Sequence, residues 1–109
     1  MKKIVGIAAS SGKAMAKCIG LDQYLECDKS KLTEHFIIVS DALPPYITSM
    51  DEHVVGIIAE DGGILSHAAC IAREFCIPCI VSVDDAKEML IGKTVEIDGS
   101  EGTICILTM

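Results

Sequence analysis

The chain has 109 residues, half of them hydrophobic, and a formal net charge of −7; this length predicts a single domain over residues 1–109 with an ordinary hydrophobic core. The acidic balance argues against nucleic-acid binding without sequence preference, because such binding depends on Lys and Arg side chains that neutralise phosphates. The apolar runs are too short for a secretory signal or a membrane span, so we expect a cytoplasmic protein without a membrane partner.

In the first third of the chain, strand-like apolar runs are separated by turn-forming and polar residues, which begins an α/β pattern. A first strand is expected at residues 3–8, with a turn at 10–12. Residues 14–25 are ambiguous, since propensity alone favours a helix over 13–17. The charged stretch 26–34 is expected to be a solvated connection.

The remainder of the chain is expected to alternate short strands with short helices. We predict strands at 36–39, 54–58 and 77–83, helices at 46–52 and 84–90, and a terminal hairpin that pairs 94–97 with 103–107. Asp84 is the expected cap of the later helix, and Asp98 is expected to form the hairpin turn.

Gly62 and Gly63 precede the strongest candidate for a reactive side chain, His67. Glycines adopt backbone angles that other residues avoid, and they let amide groups approach an anion closely. Ser66 is expected to cap a helix, so His67 lies in its first turn, where free N–H groups and the helix dipole favour bound negative charge over a protonated imidazole. A neutral imidazole can attack phosphorus. The alternative is a tolerated polar residue at a helix end.

The helix that follows Ser66 carries apolar residues at helical spacing, and this face should pack inward. Its members are Ala68, Ile71, Ala72 and Phe75. His67 is then expected to point away from the buried face.

The six cysteines are expected to be structural thiols in a reducing compartment. They are Cys18, Cys27, Cys70, Cys76, Cys79 and Cys105. Cys76 and Cys79 have the spacing of a redox motif, but they follow a helix, whereas a redox pair begins one. A zinc site that adds His67 and Cys70 has no familiar ligand spacing. A thiol or metal site is therefore the weakest alternative.

Several short motifs together resemble a known family. They are Glu60-Asp61-Gly62-Gly63, Ser66-His67, Ala72-Arg73-Glu74, Ile77-Pro78, and Val95-Glu96-Ile97-Asp98-Gly99 with Gly102. This set is similar to the phosphohistidine mobile domain of the phosphoenolpyruvate-utilising enzymes, which include pyruvate phosphate dikinase, phosphoenolpyruvate synthase and enzyme I of the sugar phosphotransferase system. The resemblance implies an α/β fold, a single swivelling β/β/α phosphohistidine domain, with residues 14–25 as a strand paired with the first one.

The resemblance also implies roles for individual residues. His67 is expected to be the phosphorylated nucleophile, through Nε2, and Gly62 and Gly63 to shape its loop. Ser66 is expected to cap the helix and to hydrogen-bond the phosphoryl oxygens. Arg73 lies on a different helix face from His67, so a structural ion pair is its expected role.

By the same resemblance, the chain is a stand-alone phosphotransferase component that is inactive without partners. The expected partners are phosphoenolpyruvate-binding chains and nucleotide-binding or carrier-protein chains. No cofactor or metal is expected on this chain, and any Mg²⁺ is expected at the partner active site.

Three positions depart from the family pattern. Ala59 stands where many relatives have threonine, and Leu65 stands where some have threonine. Cys76 stands where glycine is usual. Loss of the hydroxyl at residue 59 gives weight to an alternative function, a non-catalytic binding or regulatory module that retains the fold.

Overall fold

The computed structural model describes residues 2–107, which form one mixed α/β structure, and the expected α/β fold class is confirmed. The strands within this range are β1 (Lys2–Val5), β2 (Ile7–Ser10), β3 (Lys13–Gly20), β4 (Phe36–Ser40), β5 (Val54–Ala59), β6 (Cys79–Val81), β7 (Thr94–Asp98) and β8 (Thr103–Ile106). The helices are α1 (Leu21–Glu26), α2 (His67–Glu74) and α3 (Ala86–Leu90), with a 3-10 turn at Lys29–Lys31.

The strands form one sheet in the order β1-β8-β7-β3-β4-β5-β6-β2. β3, β4, β5 and β6 run parallel to their neighbours in this series, while β1, β2, β7 and β8 pair antiparallel. Because ligand sites in α/β proteins lie beyond the carboxyl ends of parallel strands, the loop after β5 is at the favoured edge. That loop carries Gly62 and Gly63.

The two edge strands of the sheet are consecutive in the chain, so the sheet curls to bring its edges together. β1 and β2 lie at opposite ends of the strand order, yet only Gly6 separates them. The predicted single strand at 3–8 is therefore wrong: Gly6 interrupts it, and its amide donates to the Gly102 carbonyl at 2.9 Å. A Cβ at Gly6 would lie 2.6 Å from Val83 Cγ2, so only glycine fits this crossing.

β3 is a strand, as the family resemblance implied, but its expected partner is wrong. It pairs with β4 and β7 and makes no ladder with β1 or β2. Sheet pairing on both sides outweighs the helix propensity of residues 13–17. The predicted strand also ends early, because residues 21–26 form α1.

Two apolar clusters lie on the two faces of the sheet, and β4 contributes to both. Phe36 and Ile38 face the cluster that holds α1 and α2, whereas Ile37 and Val39 face the cluster that holds α3 and the terminal hairpin. All four side chains are buried. Alternation along a strand buried on both faces explains why this segment is apolar throughout.

The predicted helix at 46–52 is absent, and the chain from residue 41 to 53 is irregular. Pro44 accepts a turn bond from the Ile47 amide, and the Asp51 carbonyl accepts from Val54. Hydrogen bonds from this segment to Tyr24 and His67 replace the backbone hydrogen bonds that a helix would have formed.

Three further predictions, all in the second half of the chain, have different outcomes. The hairpin of β7 and β8 is confirmed, and Asp98 Oδ1 accepts from the Ser100 and Glu101 amides in its turn. The strand predicted at 77–83 shortens to β6. Asp84 does not cap α3; Asp85 precedes the helix with φ +55°, and Glu60 Oε2 accepts from the Lys87 amide.

None of the helices within residues 2–107 is long and apolar enough to cross a bilayer.

Candidate functional site

His67 is the first residue of α2, as the sequence predicted. Ser66 is the N-cap, and its hydroxyl accepts a hydrogen bond from the Ala69 amide at 3.3 Å. The capping serine keeps the candidate histidine in the first helical turn, where backbone N–H groups lack carbonyl partners and attract anions.

Gly62 and Gly63 differ in how strongly the fold requires glycine. Gly62 has φ +108°, and a Cβ there would lie 2.8 Å from Ser66 Cβ. A Cβ at Gly63 would meet nothing within 4 Å, and the Gly63 carbonyl accepts from the Ser66 amide at 3.0 Å. Gly62 therefore allows the capping serine to sit close to the loop, while Gly63 closes the turn that leads into α2.

The start of this loop is fixed to neighbouring elements. The Glu60 and Asp61 amides donate to the carbonyls of Ser40 and Asp41. Lys87 Nζ lies 2.7 Å from Asp41 Oδ1, and the Lys87 ammonium lowers the pKa of the Asp41 carboxyl. These contacts hold the loop at the carboxyl ends of β4 and β5.

The His67 imidazole is not free in solvent. Its side chain is half-buried, and Nε2 lies 2.6 Å from the Ile47 carbonyl oxygen. A carbonyl only accepts hydrogen bonds, so Nε2 must carry a proton in this arrangement, which leaves the lone pair of a neutral ring on Nδ1. The expected nucleophilic atom is thus occupied as the structure stands.

The irregular segment that supplies this carbonyl is anchored at its far end. The Asp51 amide donates to the Tyr24 hydroxyl at 3.1 Å, and Asp51 Oδ1 accepts from the His53 amide at 2.8 Å. The His53 backbone amide and ring together lower the pKa of the Asp51 carboxyl. Tyr24 is buried and packs edge-on against Phe36, so its hydroxyl is a rigid acceptor.

Apolar side chains lie exposed in the two segments that meet at His67. Ile64 and Leu65 precede the histidine in its loop, and Tyr46 is adjacent to Ile47; their exposed fractions are 56%, 85% and 74%. Ile64 and Leu65 are consecutive in the chain, and contiguous exposed apolar surface marks interaction sites.

The expected inward face of α2 is correct for Ala68, Ile71 and Ala72 and wrong for Phe75. Phe75 is 39% exposed, because the helix ends there and its side chain leaves the packed face. Ala69 is fully buried instead.

Within residues 2–107, Arg73 forms hydrogen bonds in place of the ion pair expected of it. Its Nη1 donates to the Ala9 carbonyl at 2.8 Å, and its Nη2 lies 3.6 Å from Cys70 Sγ. A guanidinium carries five donors and can bond carbonyls as well as carboxylates. Arg73 therefore ties α2 to β2 and takes no part in the histidine site.

Cys76, which stands where the family resemblance led us to expect glycine, has a left-handed backbone conformation that glycine adopts readily. Its φ is +57°. The Cys76 amide donates to Arg73 and the Ile77 amide to Ala72, which is the hydrogen-bond pattern of a Schellman helix end. The substitution has therefore left the helix exit in place.

The pair Cys76 and Cys79 lacks the environment of a redox site. Cys79 is fully buried, and burial raises the pKa of its thiol to about 12. A reactive pair needs a stabilised thiolate. All six thiols are free, and in the described part of the chain no group of three or more His, Cys, Asp or Glu side chains could hold a metal ion.

Two residues of this arrangement had no signal in the sequence: Ile47, which acts through its carbonyl, and Tyr24, which acts through its hydroxyl. Backbone acceptors have no side-chain signature, and Tyr24 precedes Asp51 by 27 residues. A pattern of local spacing reports neither contact.

Comparisons with known proteins agree with the motif pattern. The family model for the mobile domain of phosphoenolpyruvate-utilising enzymes matches residues 32–102. An uncharacterised phosphotransferase of Bacillus subtilis, YvkC, is 38% identical over 106 residues, which are 96% of this chain and 12% of that protein. A probable phosphoenolpyruvate synthase of Methanothermobacter thermautotrophicus is 32% identical over 102 residues, which are 93% of this chain and 15% of that protein.

The fold is similar to that of a solved structure as well. The solution structure of an Enzyme I protein, nEIt, superposes with a TM-score of 0.62 and 30% identity, covering 74% of this chain and 34% of that one. The chain spans only 12% and 15% of the two curated relatives.

Proposed function

The chain belongs to the family of phosphoenolpyruvate-utilising enzyme mobile domains, and we propose that it carries a phosphoryl group on His67 between a donor site of the phosphoenolpyruvate type and an acceptor site. The observation that carries this proposal is the position of His67. It opens α2 behind a serine cap, at the carboxyl edge of the parallel strands, with a glycine turn before it.

The chemistry is covalent catalysis in two displacements. In the first, a ring nitrogen attacks phosphorus, the N–P bond forms, and the P–O bond of the donor breaks, with the electron pair leaving on the enolate oxygen. In the second, the acceptor nucleophile attacks phosphorus and the N–P bond breaks, returning the pair to the ring. Free amides at the start of α2 would stabilise the phosphoryl oxygens in both steps.

We propose that Ser66, Gly62 and Gly63 support this chemistry by shaping the site. Ser66 fixes the start of the helix, and its hydroxyl would also approach a phosphoryl group on the adjacent side chain. Gly62 has no Cβ and therefore lets Ser66 lie close to the loop. None of these residues supplies a proton or an electron pair.

The donor and acceptor sites are proposed to lie outside these 109 residues, on phosphoenolpyruvate-binding and on nucleotide-binding or carrier partners. The named relatives are about six to eight times as long as this chain, as their coverage of 15% and 12% implies. Any Mg²⁺ that the transfer uses would belong to the partner site. The exposed Tyr46, Ile64 and Leu65 supply an apolar contact surface around the histidine for such partners.

We propose a cytoplasmic location on the basis of the thiols. All six cysteines, each within the described residues, are unpaired, and this is typical of proteins kept in a reducing compartment.

One observation favours a second candidate function, a non-catalytic binding or regulatory module. The nitrogen expected to react is already hydrogen-bonded to the Ile47 carbonyl. In this interpretation the chain retains the fold and binds partners without accepting phosphate.

Incubation with phosphoenolpyruvate and candidate partner proteins distinguishes the two functions. We expect wild-type protein to gain one acid-labile phosphoryl group by intact mass, and His67→Ala to gain none, because the ring that opens α2 is lost. His35→Ala is the matched control, since His35 is an exposed histidine away from α2. Equal labelling of His67→Ala and wild type, or no labelling with any partner, would contradict the carrier function.

A further inference from the structure

The contact between His67 Nε2 and the Ile47 carbonyl carries a consequence for phosphorylation, which rests on the proposed function. We propose that the Ile47 carbonyl, positioned by Tyr24, holds the imidazole in its Nε2–H tautomer, and that phosphorylation at Nε2 requires the ring to leave this carbonyl. The segment 44–53 thereby becomes a positioning element for the phosphoryl carrier.

The geometry makes the held and reacting states mutually exclusive. At 2.6 Å the carbonyl oxygen occupies the direction along which phosphorus must approach Nε2 in line. A protonated Nε2 also has no lone pair to attack with. Both obstacles disappear only when the ring moves away from Ile47 and its proton resides on Nδ1.

The proton balance follows from this change. A neutral ring released from Ile47 carries its proton on Nδ1 and its lone pair on Nε2. Attack forms the Nε2–P bond as the donor's P–O bond breaks, and Nδ1 retains its proton or releases it to solvent. The phosphorylated ring cannot return to Ile47, because Nε2 no longer has a proton to donate and phosphoryl oxygens would face a carbonyl oxygen.

Tyr24 is the side chain that keeps the acceptor in place. Its hydroxyl accepts the Asp51 amide at the far end of the irregular segment, while its ring is buried against Phe36. The Ile47 side chain is itself buried, with 9% exposed, so the segment is fixed from both ends. Tyr24 does not touch His67 and acts on it through the backbone.

The first test measures the tautomer of the unphosphorylated chain and needs no phosphoryl donor. In a long-range ¹H–¹⁵N spectrum of histidine-labelled protein, we expect His67 to show a protonated Nε2 and an unprotonated Nδ1 once its ring loses its positive charge. His67→Ala assigns the signals among the three histidines. A proton on Nδ1 in the free protein would overturn the proposal.

The second test weakens the acceptor directly. An α-hydroxy acid at position 48 turns the Ile47–Thr48 amide into an ester, whose carbonyl is a poorer hydrogen-bond acceptor; the same replacement at the Pro45–Tyr46 bond is the control. We expect the ester at 48 to raise the Nδ1–H fraction and the rate of Nε2 phosphorylation by phosphoramidate about fivefold, the factor for losing one net hydrogen bond. Unchanged tautomer and rate would overturn the proposal.

Tyr24→Phe provides an independent variant that retains the buried ring, with Tyr46→Phe as its exposed counterpart. Tyr24→Phe is expected to move the tautomer signals in the same direction as the ester, and Tyr46→Phe to leave them in place. Signals that stay at their wild-type positions in Tyr24→Phe would remove Tyr24 from the proposal.

The nitrogen that receives the phosphoryl group completes the test. Coupling between ³¹P and ¹⁵N identifies it, and phosphorylation at Nδ1 with Nε2 still donating to Ile47 would overturn the release step. A protein that shows the Nε2–H tautomer but accepts phosphate from no donor or partner contradicts the proposed function and leaves the Ile47 contact intact. A protein that accepts phosphate on His67 but does not show the Nε2–H tautomer supports the proposed function and contradicts the role of the Ile47 carbonyl.

Discussion

Burial decides which side chains of this chain can react. Cys18 and Cys79 are fully buried, and desolvation raises the pKa of each thiol to about 12. Cys70 and Cys76 are exposed. His67 is half-buried at the start of α2.

Thiol labelling therefore separates these cysteines. With iodoacetamide at about pH 8, we expect Cys70 and Cys76 to be alkylated in the native protein, while Cys18 and Cys79 react only after unfolding, because a buried neutral thiol is a poor nucleophile. Peptide mass spectrometry with and without denaturant measures this. Rapid native labelling of Cys79 would reopen the question of a redox pair with Cys76.

The elements around the site owe their ends to single capping contacts. α2 begins at the Ser66 cap and ends in a Schellman motif at Cys76. The helix has eight residues, which is too short to be stable by propensity alone, so these ends and the buried alanines hold it. A substitution at either end of α2 should therefore alter the position of His67.

Ser66→Ala should destabilise the protein by about 1 kcal/mol, since the hydroxyl that accepts the Ala69 amide is lost. Denaturant unfolding measures the free energy, and Ser11→Ala is the control at an exposed position between β2 and β3. We also expect slower phosphorylation of His67, because the first helical turn frays. Wild-type stability in Ser66→Ala would show that the cap does not hold the helix.

At the scale of the whole molecule, the fold depends on closing the curled sheet over its terminal hairpin. The Gly99 amide donates to the Gly12 carbonyl at 2.7 Å, and a Cβ on Gly99 would lie 1.9 Å from the Ser10 carbonyl oxygen. Gly102 approaches Gly6 in the same way. The hairpin tip is thus packed against the backbone at both ends of β2.

Gly99→Ala is expected to destabilise the protein by about 1–3 kcal/mol, because backbone on both sides must move to admit one methyl group. Gly63→Ala is the matched control, since a Cβ there meets nothing within 4 Å. Midpoints of urea unfolding compare the two variants. Equal stability losses would show that the hairpin tip is not closely packed.

The sequence by itself predicted the alternation of strands and helices, the start of α2 and the terminal hairpin, because each follows from short-range patterns. Ser66 and His67 stand beside each other in the chain, and a cap requires only a neighbour. The buried strands β4 and β5 were equally readable from continuous apolar runs. The family motifs added β3 as a strand where propensity favoured a helix.

Only the tertiary structure decided how these pieces meet. Gly6 splits the first strand because its two halves pair with strands far along the chain. Residues 46–52 do not form the predicted helix and instead form hydrogen bonds with Tyr24 and His67. The same holds for the site, where a carbonyl 20 residues before His67 is hydrogen-bonded to the nitrogen that we propose reacts. Such contacts depend on chain positions that are distant in sequence and on backbone groups that every residue shares, so no local pattern encodes them.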